Sequence, residues 1–313
     1  MNSIYHKIAG IIFRTESDAW LPVLSDPKQY FGQFQIGEAE PEVLHRIHKV
    51  APDSLILSPL PQEDRRRLSH VVHCSPGGLA SPLLHSHLVR SKLRTSLESP
   101  EHLRISLFDD WVIISDFSRC VLDLFYWEES GGYDVDRQEC IPEHYIAANF
   151  RQIFSTFLSS FSALLMHSAG VVRNGTTALF VAPDEGGKST VARHAMGESI
   201  LNDDQIVLRH EGNVVVAHGT PFGGMTSGPH RSKLGGIFLL DQARCFELVP
   251  LHPADLVQCI WTENQNYTFL LPKSLRARAF ETLCNACYQA PAYRMRFAGD
   301  FVDWDAIDAV MAG

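Results

Sequence analysis

No stretch of this chain approaches the roughly 20 consecutive apolar residues that a membrane helix requires, so no membrane span is expected. Basic residues are also in short supply: 27 Lys and Arg face 36 Asp and Glu, giving a formal net charge of -9. Without a cationic surplus to neutralise phosphates, neither nucleic acid nor an acidic membrane surface is an expected partner. Any anionic ligand would have to be met by positive charge concentrated at one place. Cysteines are few and odd in number, seven scattered from Cys74 to Cys287, which excludes a regular disulfide framework and makes a reducing cytoplasm the expected home. Near the start, one early lysine and the short apolar run from Ile8 to Phe13 fall short of a signal-peptide core. What remains is ordinary: 45% hydrophobic and 20% charged residues, enough for a sizeable core in one large domain or two smaller ones.

Taken in order, Ile4 to Phe13 reads as a strand followed by a polar turn at Arg14-Thr15-Glu16-Ser17-Asp18. Val43, Leu44, Ile47 and Val50 recur at helical spacing and suggest a short helix beginning near Pro41. The basic stretch Arg90-Ser91-Lys92-Leu93-Arg94 reads as a solvated loop or a contact surface. Leu103–Leu107 and Trp111–Ile114 flank Phe108-Asp109-Asp110 as a hairpin. Residues 1–127 are therefore expected to form a small strand-rich α+β domain, and the polar segment 128–142, with its Gly-Gly pair and closing proline, a linker. The third part, 143–313, opens with apolar residues advancing by threes and fours from Ile146 to Leu165, which predicts a helix over Glu143–Met166. Two strands joined by a turn at Asn174-Gly175 should follow.

The second of those strands, Thr177-Ala178-Leu179-Phe180-Val181, runs into Ala182-Pro183-Asp184-Glu185-Gly186-Gly187-Lys188-Ser189-Thr190. A strand, a glycine turn and a helix opening at Ser189 is the arrangement of a phosphate-binding loop. Lys188 would supply the positive charge, and the Ser189 hydroxyl would ligate the magnesium of a nucleotide. The pattern G-x-x-x-x-G-K-[ST] is met at Gly187, Lys188 and Ser189, but Ala182 stands where the first glycine belongs. Glu185 also brings a negative charge into a loop meant for phosphates.

After a helix from Ser189 to Met196, Asn202-Asp203-Asp204 ends an apolar segment. Taken alone, the adjacent carboxylates read as a polar turn; paired with the preceding loop, they read as groups that bind magnesium and accept a proton from an attacking hydroxyl. Gly219-Thr220-Pro221-Phe222-Gly223-Gly224 is a glycine-rich loop that could close over a site, with a turn of no function as its plain alternative. Arg231 is a candidate cation for stabilising a transferring phosphoryl group, with surface solvation as its plain alternative. A strand over Gly236–Leu240, a helix over Pro272–Tyr288 and a strand at Tyr293–Phe297 complete the pattern. Cys284 and Cys287 form a lone C-x-x-C in that helix, with no second ligand pair to make a metal site.

His167 before the loop, Gly187-Lys188-Ser189-Thr190 within it and Asn202-Asp203-Asp204 beyond it together resemble the C-terminal catalytic domain of HPr kinase/phosphorylase and its wider kinase-like group. The resemblance extends to Gly219–Phe222, Lys233–Leu240 and Pro291–Phe297, covering roughly 143–300. It implies an α/β fold with a P-loop kinase domain of the HPr kinase and phosphoenolpyruvate carboxykinase type. ATP and Mg2+ would be the cofactors, and the γ-phosphate would pass to a serine hydroxyl. By the same resemblance Lys188 contacts phosphate, Ser189 and Asp204 hold the metal, the Asp203/Asp204 pair includes the base, and His167 tunes the carboxylates. It also implies a homo-oligomer. No arginine-glycine-leucine-glycine stretch of the bifunctional HPr enzymes is present. The similarity therefore points to divergent kinases of peptides, lasso precursor peptides among them, and to a peptide or small-protein substrate. The alternatives are a nucleotide- or peptide-binding module without catalysis, and a small-molecule kinase.

Overall fold

The computed structural model describes residues 2–17, 30–50, 72–74, 89, 103–107, 111–127, 151, 154–195, 199–224, 226–263, 271–299 and 301–312. They form a mixed α/β protein with two sheets, each containing parallel and antiparallel pairs, and few helices. Two compact units divide the chain. One runs to Ile153 and takes in Leu270–Pro272; the other runs from Phe154 and takes in Ile8–Gly10. The expected linker 128–142 and the basic stretch Arg90–Arg94 lie outside the described residues.

In the first unit, β1 (Asn2–Ile8), β2 (Ile11–Ser17), β3 (Gln35–Ile36), β4 (Val43–Val50), β5 (Val72–Cys74), β6 (Leu103–Leu107), β7 (Trp111–Asp116) and β8 (Val121–Trp127) form one sheet in the order β3-β1-β2-β4-β8-β7-β6-β5. The apolar run of Ile4–Phe13 is broken at Ala9-Gly10, where φ is 52° and 77°, and Arg14–Ser17 continue β2 instead of turning. The short helix expected near Pro41 is the strand β4. Val43, His45 and Ile47 are buried while Leu44, Arg46 and His48 are half-buried, a period of two. The four-residue step from Val43 to Ile47 satisfies either period, and parallel pairing with β2 on one side and β8 on the other decides for the strand. The hairpin of β6 and β7 is as expected, with Ile105 opposite Ile114.

The second unit contains β9 (Ala163–Arg173), β10 (Thr176–Val181), α1 (Lys188–His194), β11 (Ser199–Asn202), β12 (Gln205–Glu211), β13 (Val214–Gly219), β14 (Arg231–Gln242), β15 (Glu247–Pro250), α2 (Pro253–Glu263), α3 (Lys273–Gln289), β16 (Ala292–Phe297) and α4 (Trp304–Ala312). The helix expected to reach Met166 stops earlier. Residues 154–158 are helical, a 3-10 turn follows at Ser159–Phe161, and Ser162 reverses the chain with φ 53°. Ala163-Leu164-Leu165-Met166 are all buried in β9, an unbroken apolar run of the kind a strand covered on both faces requires. Asn174 and Gly175, with φ of 49° and 81°, make the turn into β10. Neither α2, α4 nor β15 is anticipated by the sequence reading.

β10 pairs antiparallel with β9 and parallel with β14, and this second pairing closes β9, β10, β14, β13 and β12 into a ring of strands. Behind the end of β10, Phe180 stacks on Phe238 at 5.4 Å between ring centroids and meets the edge of Trp304 at 5.9 Å. Phe180 and Phe238, both fully buried, each contribute roughly 1.5–3 kcal/mol, so the strand end that carries the loop stands on a firm base. No helix among the described residues is long and apolar enough to cross a membrane.

Candidate active site

β9 joins the two halves of the site. Along its later residues it pairs with β10, Ser168 opposite Val181; along its earlier ones it pairs with β12, His167 opposite Gln205. The loop that leaves Val181 and the acidic turn that enters Gln205 are thus delivered to either flank of His167-Ser168. Ser168 N–H donates to the Asp204 carbonyl at 2.9 Å, fixing the turn to the strand.

The loop folds around Lys188, which is 6% exposed. Its ammonium donates to the carbonyl oxygens of Ala182, at 2.9 Å, and Pro183, at 2.8 Å. An ammonium has three donors, so one is left for an anion. Burial lowers the Lys188 pKa, against the pull of the Asp184 and Asp204 charges. Val191 N–H makes the first helical hydrogen bond, to Gly187 O at 3.0 Å, so the N–H groups of Lys188, Ser189 and Thr190 precede the ladder of α1. Ser189 is exposed and Thr190 half-buried.

The two irregularities of the motif have physical explanations. Ala182 is buried and is not among the residues with positive φ, so its position does not demand glycine. Its methyl fills the space beside Gly186, where an added Cβ would lie 2.6 Å from the Ala182 Cβ. Glu185 takes the left-handed conformation, φ 61°, with its carbonyl accepting the Gln242 amide at 3.2 Å. Its side chain is exposed to solvent, so the charge is hydrated and not enclosed by the loop. Gly187, with φ 101°, lies against the Phe297 ring.

On the other flank, Asn202 organises the acidic turn. Its side-chain oxygen accepts the N–H groups of Asp204 and Gln205, both at 2.7 Å, and its amide donates to the carbonyls of Thr220 and Phe222 at 3.0 and 3.2 Å. The Thr220 hydroxyl returns a bond to Gln205 O at 2.8 Å. Together these bonds hold the glycine-rich loop over the aspartates. Gly223 and Gly224 both have positive φ, and a methyl at either would overlap the carboxylate of Asp204 or Asp203 respectively. Asp203 is 4% exposed and accepts Thr226 N–H at 3.1 Å. Asp204 lies against the same loop at Gly223 and also reaches His167. His167 Nε2 lies 2.9 Å from its Oδ1 and 3.4 Å from Asp184 of the loop, a side chain 93% exposed. Burial works to raise the Asp204 pKa, but the hydrogen bond and charge of His167, the Gln205 amide and the Lys188 charge outweigh it and hold the carboxyl below its usual range.

Lys188, Asp184, His167 and Asp204 are therefore gathered at the β9 junction, with Ser189 next to Lys188 and Asp203 next to Asp204 along the chain. Arg231 is not part of that contact set: its guanidinium is 61% exposed and paired with Glu211 at 2.9 Å. Of the two helix cysteines, Cys287 is buried and its thiol pushed up to about 12 by that burial. Among the described residues no group of three or more His, Cys, Asp or Glu could by itself hold a metal. By chemical type, the Asp204 carboxylate and the Ser189 hydroxyl nevertheless suit magnesium, which keeps waters and binds through few protein ligands plus phosphate oxygens. Sequence reasoning missed the brackets made by Asn202 and Thr220 and the contact of Asp184 with His167. The signal for the first was an asparagine directly before the paired aspartates; for the second there was none, since Asp184 and His167 meet only across paired strands. No family model matches the chain, and no curated protein matches it either.

Proposed function

We propose that the protein is an ATP- and magnesium-dependent kinase of the HPr kinase-like type, with a P-loop fold in its second unit, that phosphorylates a serine hydroxyl of a peptide or small protein. The observation that carries this reading is the meeting of the Lys188 loop and the Asp203-Asp204 turn across β9, with His167 bonded to Asp204 at 2.9 Å. Mg-ATP would supply the transferable phosphoryl group. Lys188 and the loop N–H groups would hold its phosphates, and Ser189 with Asp204 the metal. Asp204 is turned toward the loop and kept ionised, which suits the metal side. Asp203, beside Gly224 and Thr226 and not bonded to His167, is assigned the acceptor side: as the serine oxygen forms its bond to phosphorus and ADP leaves, the hydroxyl proton would pass to Asp203.

Incubating the purified protein with Mg-ATP and a serine-containing peptide library, followed by mass spectrometry, tests the reading. A phosphopeptide is the expected product. If none forms while ATP still raises the melting temperature, the kinase reading is lost and a binding module remains.

A further inference from the structure

Two chain segments border the phosphate loop, and each carries an aromatic ring at the surface. The first leaves β14 at Gln242, whose amide holds the Glu185 carbonyl, and continues to Phe246. The second leaves β16 at Phe297, whose ring lies against Gly187, and continues to Phe301. They are tied together where Ala243 N–H donates to Phe297 O at 3.0 Å. The second is tied to α1 as well, His194 Nε2 bonding Gly299 O at 2.9 Å. At their outer ends Phe246 and Phe301 pack edge to face, 6.2 Å between centroids. Phe246 rests on the core cluster that contains Ala182 and Phe297, so its position is anchored to the loop's own foundation. Phe301, in contrast, is 55% exposed.

Phe301 leaves most of its apolar ring in water on a segment that borders the phosphate loop, an arrangement costly to hydrate. A nucleotide held by its phosphates at Lys188 carries a flat apolar base a short distance away, and a purine has a π-face that stacks on aromatic rings. We infer that Phe246 and Phe301 form the platform for the purine base of the bound nucleotide, Phe301 as the contacting ring and Phe246 as its support. The inference rests on the phosphate-loop reading and adds the part of the ligand that the loop cannot read.

Calorimetric titration of the full chain with ATP and with inorganic tripolyphosphate separates the two. The wild type should bind ATP more tightly than tripolyphosphate. Phe301→Ala should weaken ATP by about tenfold or more, the loss expected of one stacking contact, and leave tripolyphosphate unchanged. Phe301→Trp should restore ATP binding. Equal affinity of the wild type for the two ligands, or a Phe301→Ala variant that binds ATP as before or loses both ligands alike, would overturn the platform while the loop reading stands. Binding of neither ligand by the wild type would remove both readings.

Discussion

Asp203 and Asp204 are adjacent in sequence but turned to different neighbours, Thr226 N–H on one side and His167 on the other. Their amide variants should therefore differ. On the proposed kinase reading, Asp203→Asn is expected to lower turnover by about 10²–10⁴ with nucleotide binding kept, whereas Asp204→Asn should mainly abolish a tightening of ATP binding by magnesium, both read by titration and steady-state rates. Identical behaviour of the two variants would refute the division of roles. Lys188→Ala should erase the rise in melting temperature on adding ATP. The motif's missing glycine has its own test. Because the methyl of Ala182 occupies the space beside Gly186, Gly186→Ala should cost about 1–3 kcal/mol in urea unfolding, and part of that should return in an Ala182→Gly background. Full additivity of the two changes would show that they do not share that space.

At the scale of elements, the β11–β12 turn and the glycine-rich loop are one structure because Asn202 bonds to both. Asn202→Ala leaves several buried backbone groups without partners and should cost on the order of 3 kcal/mol. Hydrogen exchange at Thr220 and Phe222 should speed up in that variant; unchanged protection there would mean the loop is held by other contacts. Much of this level was legible beforehand. The Asn174-Gly175 turn, the β6–β7 hairpin, α1, α3 and the strand at Tyr293–Phe297 follow from turn chemistry and period. The misreadings share a cause. In β4 and at the start of β9, spacing or apolar content compatible with a helix was overruled by pairing with distant strands, and local periodicity carries no record of that pairing.

Across the whole molecule, two buried histidines add to the loss of stability in acid. Burial lowers His45 to about 3 in the first unit, and burial, opposed by the charge of Glu211, lowers His218 to about 4 in the second. Both are neutral in the fold at pH 7, while the unfolded chain takes up their protons near 6.5. The unfolded state thus binds more protons below 6.5, so stability is complete above that pH and is lost as the pH falls toward about 4 and then about 3. Urea midpoints measured downward from pH 7 should decline over this window, and His218→Gln should flatten the decline above pH 4; an unaltered slope would clear His218 of the effect. The sequence by itself determined the absence of long apolar runs, the acidic balance, the phosphate-loop motif, the acidic pair and the glycine-rich loop, because each is written in neighbouring residues. Only the tertiary structure decided that loop and acidic pair meet at His167 and that Arg231 is spent on Glu211. Those outcomes depend on the register of β9 with β10 on one flank and β12 on the other, set by hydrogen bonds and packing between segments far apart in the chain.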